Sequence, residues 1–174
     1  TRVRSELEDA AVFISDLSLR EPEDLLPILV CALKNERRRL LIIANEISDS
    51  AMSLLLANNR KPEEFQVLAV HTPGHGAEEQ AWFLTDAAIL CGGRPYIREA
   101  DDHPRGLRPE HFGRARRVWA SRENFGIIGG RGDPRMLRRH IAELQQTFED
   151  SLDVVYRSKL EKRIGKLLGG SATL

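Results

Sequence analysis

No apolar run in this 174-residue sequence approaches the roughly 18 residues that a membrane-spanning helix needs. Charge of one sign is also missing. The 26 Lys and Arg residues balance 26 Asp and Glu residues, so no overall field draws the chain to nucleic acid or an anionic membrane. Cysteine is scarce: Cys31 and Cys91 fall in apolar helical contexts and match no metal-ligand spacing. Two buried, reduced thiols are expected, with a single disulfide as the alternative, and reduced thiols point to a cytoplasmic compartment. The opening Thr1-Arg2-Val3-Arg4 carries neither Met nor an apolar signal core, so nothing there marks it for secretion, and the start suggests a processed chain or an excised piece of a longer one. Catalytic signatures are lacking too. There is no Gly-x-Ser-x-Gly elbow, no zinc-ligand pattern and no paired-carboxylate arrangement, so no active site is visible.

What is present is an ordinary globular composition, 41% hydrophobic and 30% charged, without repeats or linkers and of a length that suits one domain. Two strand–helix units organise the first half. In the first, the continuous apolar run Leu40-Leu41-Ile42-Ile43-Ala44 implies a strand covered on both faces. It leads into a helix over residues 49–59, capped by Ser48 or Asp49 and closed by Arg60-Lys61-Pro62. In the second, a buried strand over 66–70 leads through Pro73-Gly74-His75-Gly76 into a helix over 77–90, with Gly92 and Gly93 available for its left-handed end. Residues 10–15 read as a short buried strand, and Glu21-Pro22 opens a helix over 22–34. A short strand is expected over 95–97 and a polar, proline-bearing loop over 100–109. Strands over 117–120 and 125–128 are joined by Ser121-Arg122-Glu123-Asn124. Asp133-Pro134 opens a helix carrying Leu137, Ile141, Leu144 and Phe148 at helical spacing. Leu152, Val155, Tyr156, Leu160, Ile164, Leu167 and Leu168 repeat that spacing, predicting a helical hairpin that stops at Gly169-Gly170. The fold class is α/β.

Two helices carry more apolar surface than one core-facing stripe requires. Over 49–59, Ala51, Leu54, Leu55 and Asn58 share the natural core side, while Met52 and Leu56 form a second stripe. Over 22–34, Leu25, Leu26, Ile28, Leu29, Ala32 and Leu33 sweep through nearly half a turn. Periodicity alone is met by burial on two sides. The competing reading is an exposed groove for a flexible apolar partner, to which the adaptable thioether of Met52 is suited.

Three patterns invite chemistry. His71 and His75 stand four apart as in a helical metal pair, but Pro73 and Gly74 intervene and no third ligand is near. The run Gly126-Ile127-Ile128-Gly129-Gly130-Arg131-Gly132-Asp133 resembles a phosphate cradle, yet it lacks Lys-Ser/Thr and ends in a repelling Asp. Arginines concentrate in the later half, including Arg94, Arg98, Arg105, Arg108, Arg114, Arg116, Arg117, Arg122, Arg131, Arg135, Arg138 and Arg139. A nucleic-acid patch is one reading of them, and a salt-bridged surface with little aromatic interleaving is the other.

The order of segments carries a resemblance. Leu26-Pro27-Ile28-Leu29, Leu40 to Ala44, Val70 through Gly76, Ile89-Leu90-Cys91-Gly92-Gly93, Gly113-Arg114-Ala115-Arg116-Arg117-Val118 and Ile127 through Gly132 occur in one collinear series. Tyr156 to Arg163 and Lys166-Leu167-Leu168-Gly169-Gly170 complete it. From about Glu6-Leu7-Glu8 onward the sequence resembles the apical domain of group I chaperonins, the GroEL family. The resemblance implies a swivelling three-layer β/β/α domain spanning 1–174, a fragment of a longer subunit that assembles into a homo-oligomeric ring. Its implied partners are non-native polypeptides and the mobile loop of a lid-forming co-chaperonin, both bound in a groove between two helices. The family's binding positions fall on Leu26, Leu29, Met52, Leu56 and Ala57, and Asn58 matches a family Asn. Gly169 and Gly170 match the hinge toward the intermediate domain. The fragment itself is expected to lack enzymatic activity and cofactors, since ATP and Mg belong to the parent's equatorial domain. Departures are clear: Glu78-Glu79-Gln80 replaces a basic Arg-Arg-Lys, His75 replaces Phe, Gly129 replaces Asp, and Ala57 is smaller than the usual Val. They imply a divergent paralogue.

Overall fold

The run Leu40 to Ala44 is apolar at every position because it lies inside a sheet with helices against both faces. In a computed structural model that describes the backbone of residues 4–173 and the side chains of 4–170, this run belongs to β3 (Arg39–Ala44). β3 pairs in parallel with β1 (Ser5–Ile14) on one side and β5 (Gln66–His71) on the other. β1 also pairs antiparallel with β6 (Gly113–Ala120), β6 with β7 (Phe125–Gly130), and β7 with β8 (Ser171–Thr173). The sheet order is therefore β5-β3-β1-β6-β7-β8. Two very short strands, β2 (Ser18–Leu19) and β4 (Glu46–Ile47), pair in parallel beside it.

Alternation along β3 separates two cores. Leu40, Ile42 and Ala44 meet α1 (Pro22–Lys34) and α2 (Asp49–Asn58), together with Phe13, Leu19, Phe65 and Tyr96. Leu41 and Ile43 meet α3 (Ala77–Cys91), α4 (Pro134–Asp150) and α5 (Val154–Leu168) through Leu84, Leu90, Ile141, Leu144 and Leu160. Cys31 packs against the first core and Cys91 lies inside the second, so the sheet separates the two free thiols.

Asp9 adopts φ of +50°, and the inward set slips by one residue there: Leu7 and Ala10 both reach the second core, as do Val118 and Ala115 on β6. The turn after β6 thereby reaches the far end of β5, and residues 121–125 line one cleft with residues 69–75. The rings of Phe83 and Phe125 meet edge to face at 5.9 Å. The six-stranded sheet with helices on both faces makes the expected mixed α/β fold.

Several expectations are corrected. β1 begins at Ser5 rather than at residue 10, because Glu6 and Glu8 face outward while Leu7 alone faces the core. β5 is an edge strand rather than a buried one, and only Val67 in it is buried. Residues 95–97 form a single bridge, Tyr96 to Ser15, and the expected loop after them contains three one-turn helices within 98–111. The glycine-rich run is mostly strand β7. A Cβ on Gly130 or Gly132 would collide with the carbonyls of Leu90 and Ile89, so these glycines let the chain pass the end of α3. The helix-opening roles of Ser48, Pro22 and Asp133 are seen as expected, and Gly92 takes the left-handed position after α3.

Candidate functional site

The two helices with surplus apolar residues are neighbours, fastened at their starts. Ser48 caps α2 by accepting from the Ala51 N–H at 3.2 Å, and its hydroxyl donates to the Arg20 carbonyl just before α1. Ser50 Oγ donates to the same carbonyl at 3.1 Å. Asp24, in the first turn of α1, accepts from the backbone N–H groups of Arg20 and Glu21 at 3.0 and 3.1 Å. Arg20 in turn pairs with Glu46 at 3.0 Å. Both helix starts thus converge on residues 20 and 21, which fixes the helices relative to each other.

On that frame the apolar surplus divides in two. Leu25, Ile28, Leu29 and Ala32 of α1 and Ala51 and Leu55 of α2 are buried. Leu26 is 46% exposed, Val30 43%, Leu33 48% and Leu56 63%. Leu26, Val30 and Leu33, spaced i, i+4 and i+7, make one stripe along α1, on the side away from Cys31. Cys31 instead leans toward the Leu107 carbonyl of the 98–111 segment.

Of the six residues expected in the groove, Leu26, Leu56 and Ala57 are exposed, and Met52 and Asn58 are half-buried. Met52 leans onto the α1–α2 core, and Asn58 turns its amide back to donate to the Leu54 carbonyl at 2.8 Å. Leu29 is a correction. At 3% exposure it is a core residue, because it follows Leu25 by four and precedes Ala32 by three on the buried stripe. Val30 and Leu33 offer the outward apolar surface on α1 beside Leu26. Their i, i+4, i+7 spacing was the signal that could have found them.

The other candidates resolve into structure. His71 Nδ1 lies 3.2 Å from the Asn45 carbonyl, and the His75 N–H donates to Glu79 Oε2 at 3.0 Å. Among the described residues no group of three or more His, Cys, Asp or Glu could hold a metal. Many of the arginines meet carboxylates: Arg114 and Arg131 meet Asp9, Arg117 meets Glu6, and Arg94 meets Asp102 at 2.8 Å. That last contact raises the pKa of the Arg94 guanidinium.

A polar cluster that the sequence reading did not single out joins α3, α4 and α5. Asp86, 7% exposed, accepts two bonds from Arg163 at 2.8 Å each, and its Oδ1 lies 2.7 Å from His140 Nε2. Arg163 also lies over the Trp82 ring, which packs on Tyr156 at 5.6 Å. Burial, then Lys162, depress the pKa of nearby Lys166, and Asp86 pulls it back up. Nearer the start of α3, Glu79 pairs with Lys159 at 2.5 Å. The hydrogen bond between them lowers the pKa of Glu79 and raises that of Lys159.

No known protein-family profile matches the chain. Among solved structures, it is similar to the chaperonin gp146 from the bacteriophage EL 2 (Pseudomonas aeruginosa), determined in the presence of ATP-BeFx. The TM-score is 0.69 at 20% identity, and the match covers 99% of this chain and 34% of that one. The chain therefore spans about a third of the length of that chaperonin. Its fold is that of a chaperonin domain, in agreement with the apical-domain resemblance carried by its sequence.

Proposed function

We propose that the chain is a polypeptide-binding chaperone domain, which captures non-native proteins on the apolar surface of α1 and α2. The observation that carries this reading is the exposed stripe Leu26, Val30 and Leu33 on α1, together with exposed Leu56 on α2, whose start is fastened to that of α1. Large side chains held in water by a rigid frame leave it when a client's apolar residues dock. Each well-buried contact would contribute on the order of 1.5–3 kcal/mol before ordering costs.

In this reading the domain belongs to a longer cytoplasmic subunit that assembles into a ring. Several weak surfaces then act together, and linkage raises avidity. The mobile loop of a lid-forming co-chaperonin would compete for the same helices. ATP and Mg would act in another part of the subunit, so this domain performs no catalysis itself. Gly169 and Gly170 would form the hinge about which the domain swings. Gly169 closes α5 in helical geometry, and Gly170, at φ of +65°, accepts from the Gly129 N–H at 3.0 Å.

The test is suppression of aggregation of a chemically denatured protein. Wild-type chain should slow light scattering in proportion to its concentration. Leu56→Glu should abolish the effect while keeping the wild-type Tm, because Leu56 is exposed and its replacement opens no cavity. Undiminished suppression by the variant would remove the groove assignment.

A further inference from the structure

β5 ends the sheet, and its free edge is nearly unprotected. The Gln66 N–H donates to the Arg38 carbonyl and the Thr72 N–H to the Ala44 carbonyl, so the even-numbered residues turn their backbone groups toward β3. Odd-numbered residues turn theirs outward. At Val67 the outward groups are taken by a side chain: Asn59 Oδ1 accepts from the Val67 N–H at 2.8 Å, and Asn59 Nδ2 donates to the Val67 carbonyl at 2.9 Å. At Ala69 and His71 the outward N–H and C=O have no partner among the described residues.

Exposure agrees with this geometry. Leu68, Ala69, Val70 and His71 point alternately to the two faces, yet none is fully buried. Water reaches them from the edge. Past the Asn59 clasp the strand Gln-Val-Leu-Ala-Val-His carries neither the Lys nor the Pro that often blunts a sheet edge. Beyond the strand the track continues into a cleft of about 350 Å³ lined by residues 69–75 and 121–125.

We propose that the outer edge of β5 at Ala69 and His71 is a docking site for an extended segment of non-native polypeptide, which joins the sheet as an added strand. This inference rests on the chaperone reading and adds a second mode of capture to it. Backbone pairing reads no side-chain sequence, which suits a binder of varied clients, and a non-native chain brings its own unpaired N–H and C=O groups. A second copy of this chain is the poorer occupant. Two folded copies could pair only through the short stretch between the Asn59 clasp and the turn at Thr72, whereas an extended segment can also run on into the adjoining cleft lined by residues 121–125.

The test uses the 174-residue chain and a fluorescein-labelled peptide of alternating Val and Thr. Hydrogen exchange of the Ala69 and His71 amides should slow when peptide binds, while the already paired amides of Leu68 and Val70 change little. Ala69→Pro removes an outward donor without breaking a bond inside the sheet, and should weaken peptide binding roughly fivefold to tenfold. The same loss should follow when alternate amides of the peptide are N-methylated and the wild-type chain is used, which keeps the test valid if the proline variant does not fold. Equal binding by the N-methylated peptide, with Ala69 and His71 exchange unchanged, overturns the proposal. Concentration-dependent protection of those amides without peptide, together with a dimer mass in sedimentation, overturns it in favour of self-pairing. Leu56→Glu separates the two readings. If it abolishes aggregation suppression while the edge shows no pairing, the groove stands alone; if suppression persists, the groove fails whatever the edge does.

Discussion

A thiol reacts as its thiolate, and the two thiols differ in how hard that anion is to form. Cys91 sits in the second core with almost no exposure, and burial pushes its pKa up to about 12. Cys31 is half-buried, and desolvation, reinforced by Glu110, raises its pKa less. Iodoacetamide at neutral pH should therefore label Cys31 slowly and leave Cys91 untouched until the chain unfolds. Mass spectrometry after timed alkylation reads both sites, and prompt labelling of Cys91 in the folded chain would contradict its placement. Leu26 and Leu29 show how local such distinctions are. Both belong to the apolar sweep that the sequence displays, and three positions along one helix separate a core side chain from an exposed one. Composition cannot rank them; the direction of α1 over the sheet does.

Helices α3, α4 and α5 are joined by more than apolar contact. Asp86 takes two short hydrogen bonds from Arg163 beside His140, in a site with little access to water. Asp86→Asn would leave the Arg163 guanidinium partly buried without its counter-charge, and should cost about 2–4 kcal/mol by urea denaturation. An unchanged unfolding midpoint would show that the cluster adds nothing to holding α5 against α3. The Glu79–Lys159 pair is exposed and adds a pH dependence of known sign. The lowered pKa of Glu79 supplies stability above the unfolded carboxyl value, which is lost as pH falls through the folded value. The raised pKa of Lys159 supplies stability below its unfolded value, lost as pH rises through the folded one. The tie is thus fully made between those limits, and Glu79→Gln should flatten the acid side of a Tm-against-pH curve. Elements of this kind were unevenly legible in the sequence. Helices with proline or serine at their starts and strands with unbroken apolar runs could be read directly. The first half of β1 could not, because a strand with one inward residue among carboxylates looks like surface. The Asp86 cluster could not either, since its members are spread over 77 positions and only the packing of three helices joins them.

At the scale of the whole molecule, charge balance and apolar patterning make opposite demands on salt. The chain is formally neutral, and several of the arginines that suggested a nucleic-acid surface, among them Arg94, Arg114, Arg117 and Arg131, are turned toward Asp102, Asp9 or Glu6. On α1 and α2, by contrast, the large apolar side chains of Leu26, Val30, Leu33 and Leu56 stand in the open. The sequence could show that surplus, and its collinear segments pointed to a chaperonin domain, but which part of the surplus faces water depended on how the sheet and the 98–111 segment cover α1. Binding through phosphate contacts would fall steeply between about 50 and about 200 mM salt as counterions are released. Capture on Leu26, Val30, Leu33 and Leu56 should instead hold steady or tighten, because salts such as sulfate favour apolar burial. Titrating a fluorescent, permanently unfolded protein against the chain at rising sodium sulfate, with a labelled oligonucleotide alongside, separates the two. Client affinity that collapses with salt in step with the oligonucleotide would move function from the helices to the arginines. Steady client affinity with negligible oligonucleotide binding is the expected outcome, and the triple variant Leu26→Ser, Val30→Ser, Leu33→Ser should lose it while retaining the wild-type circular dichroism spectrum.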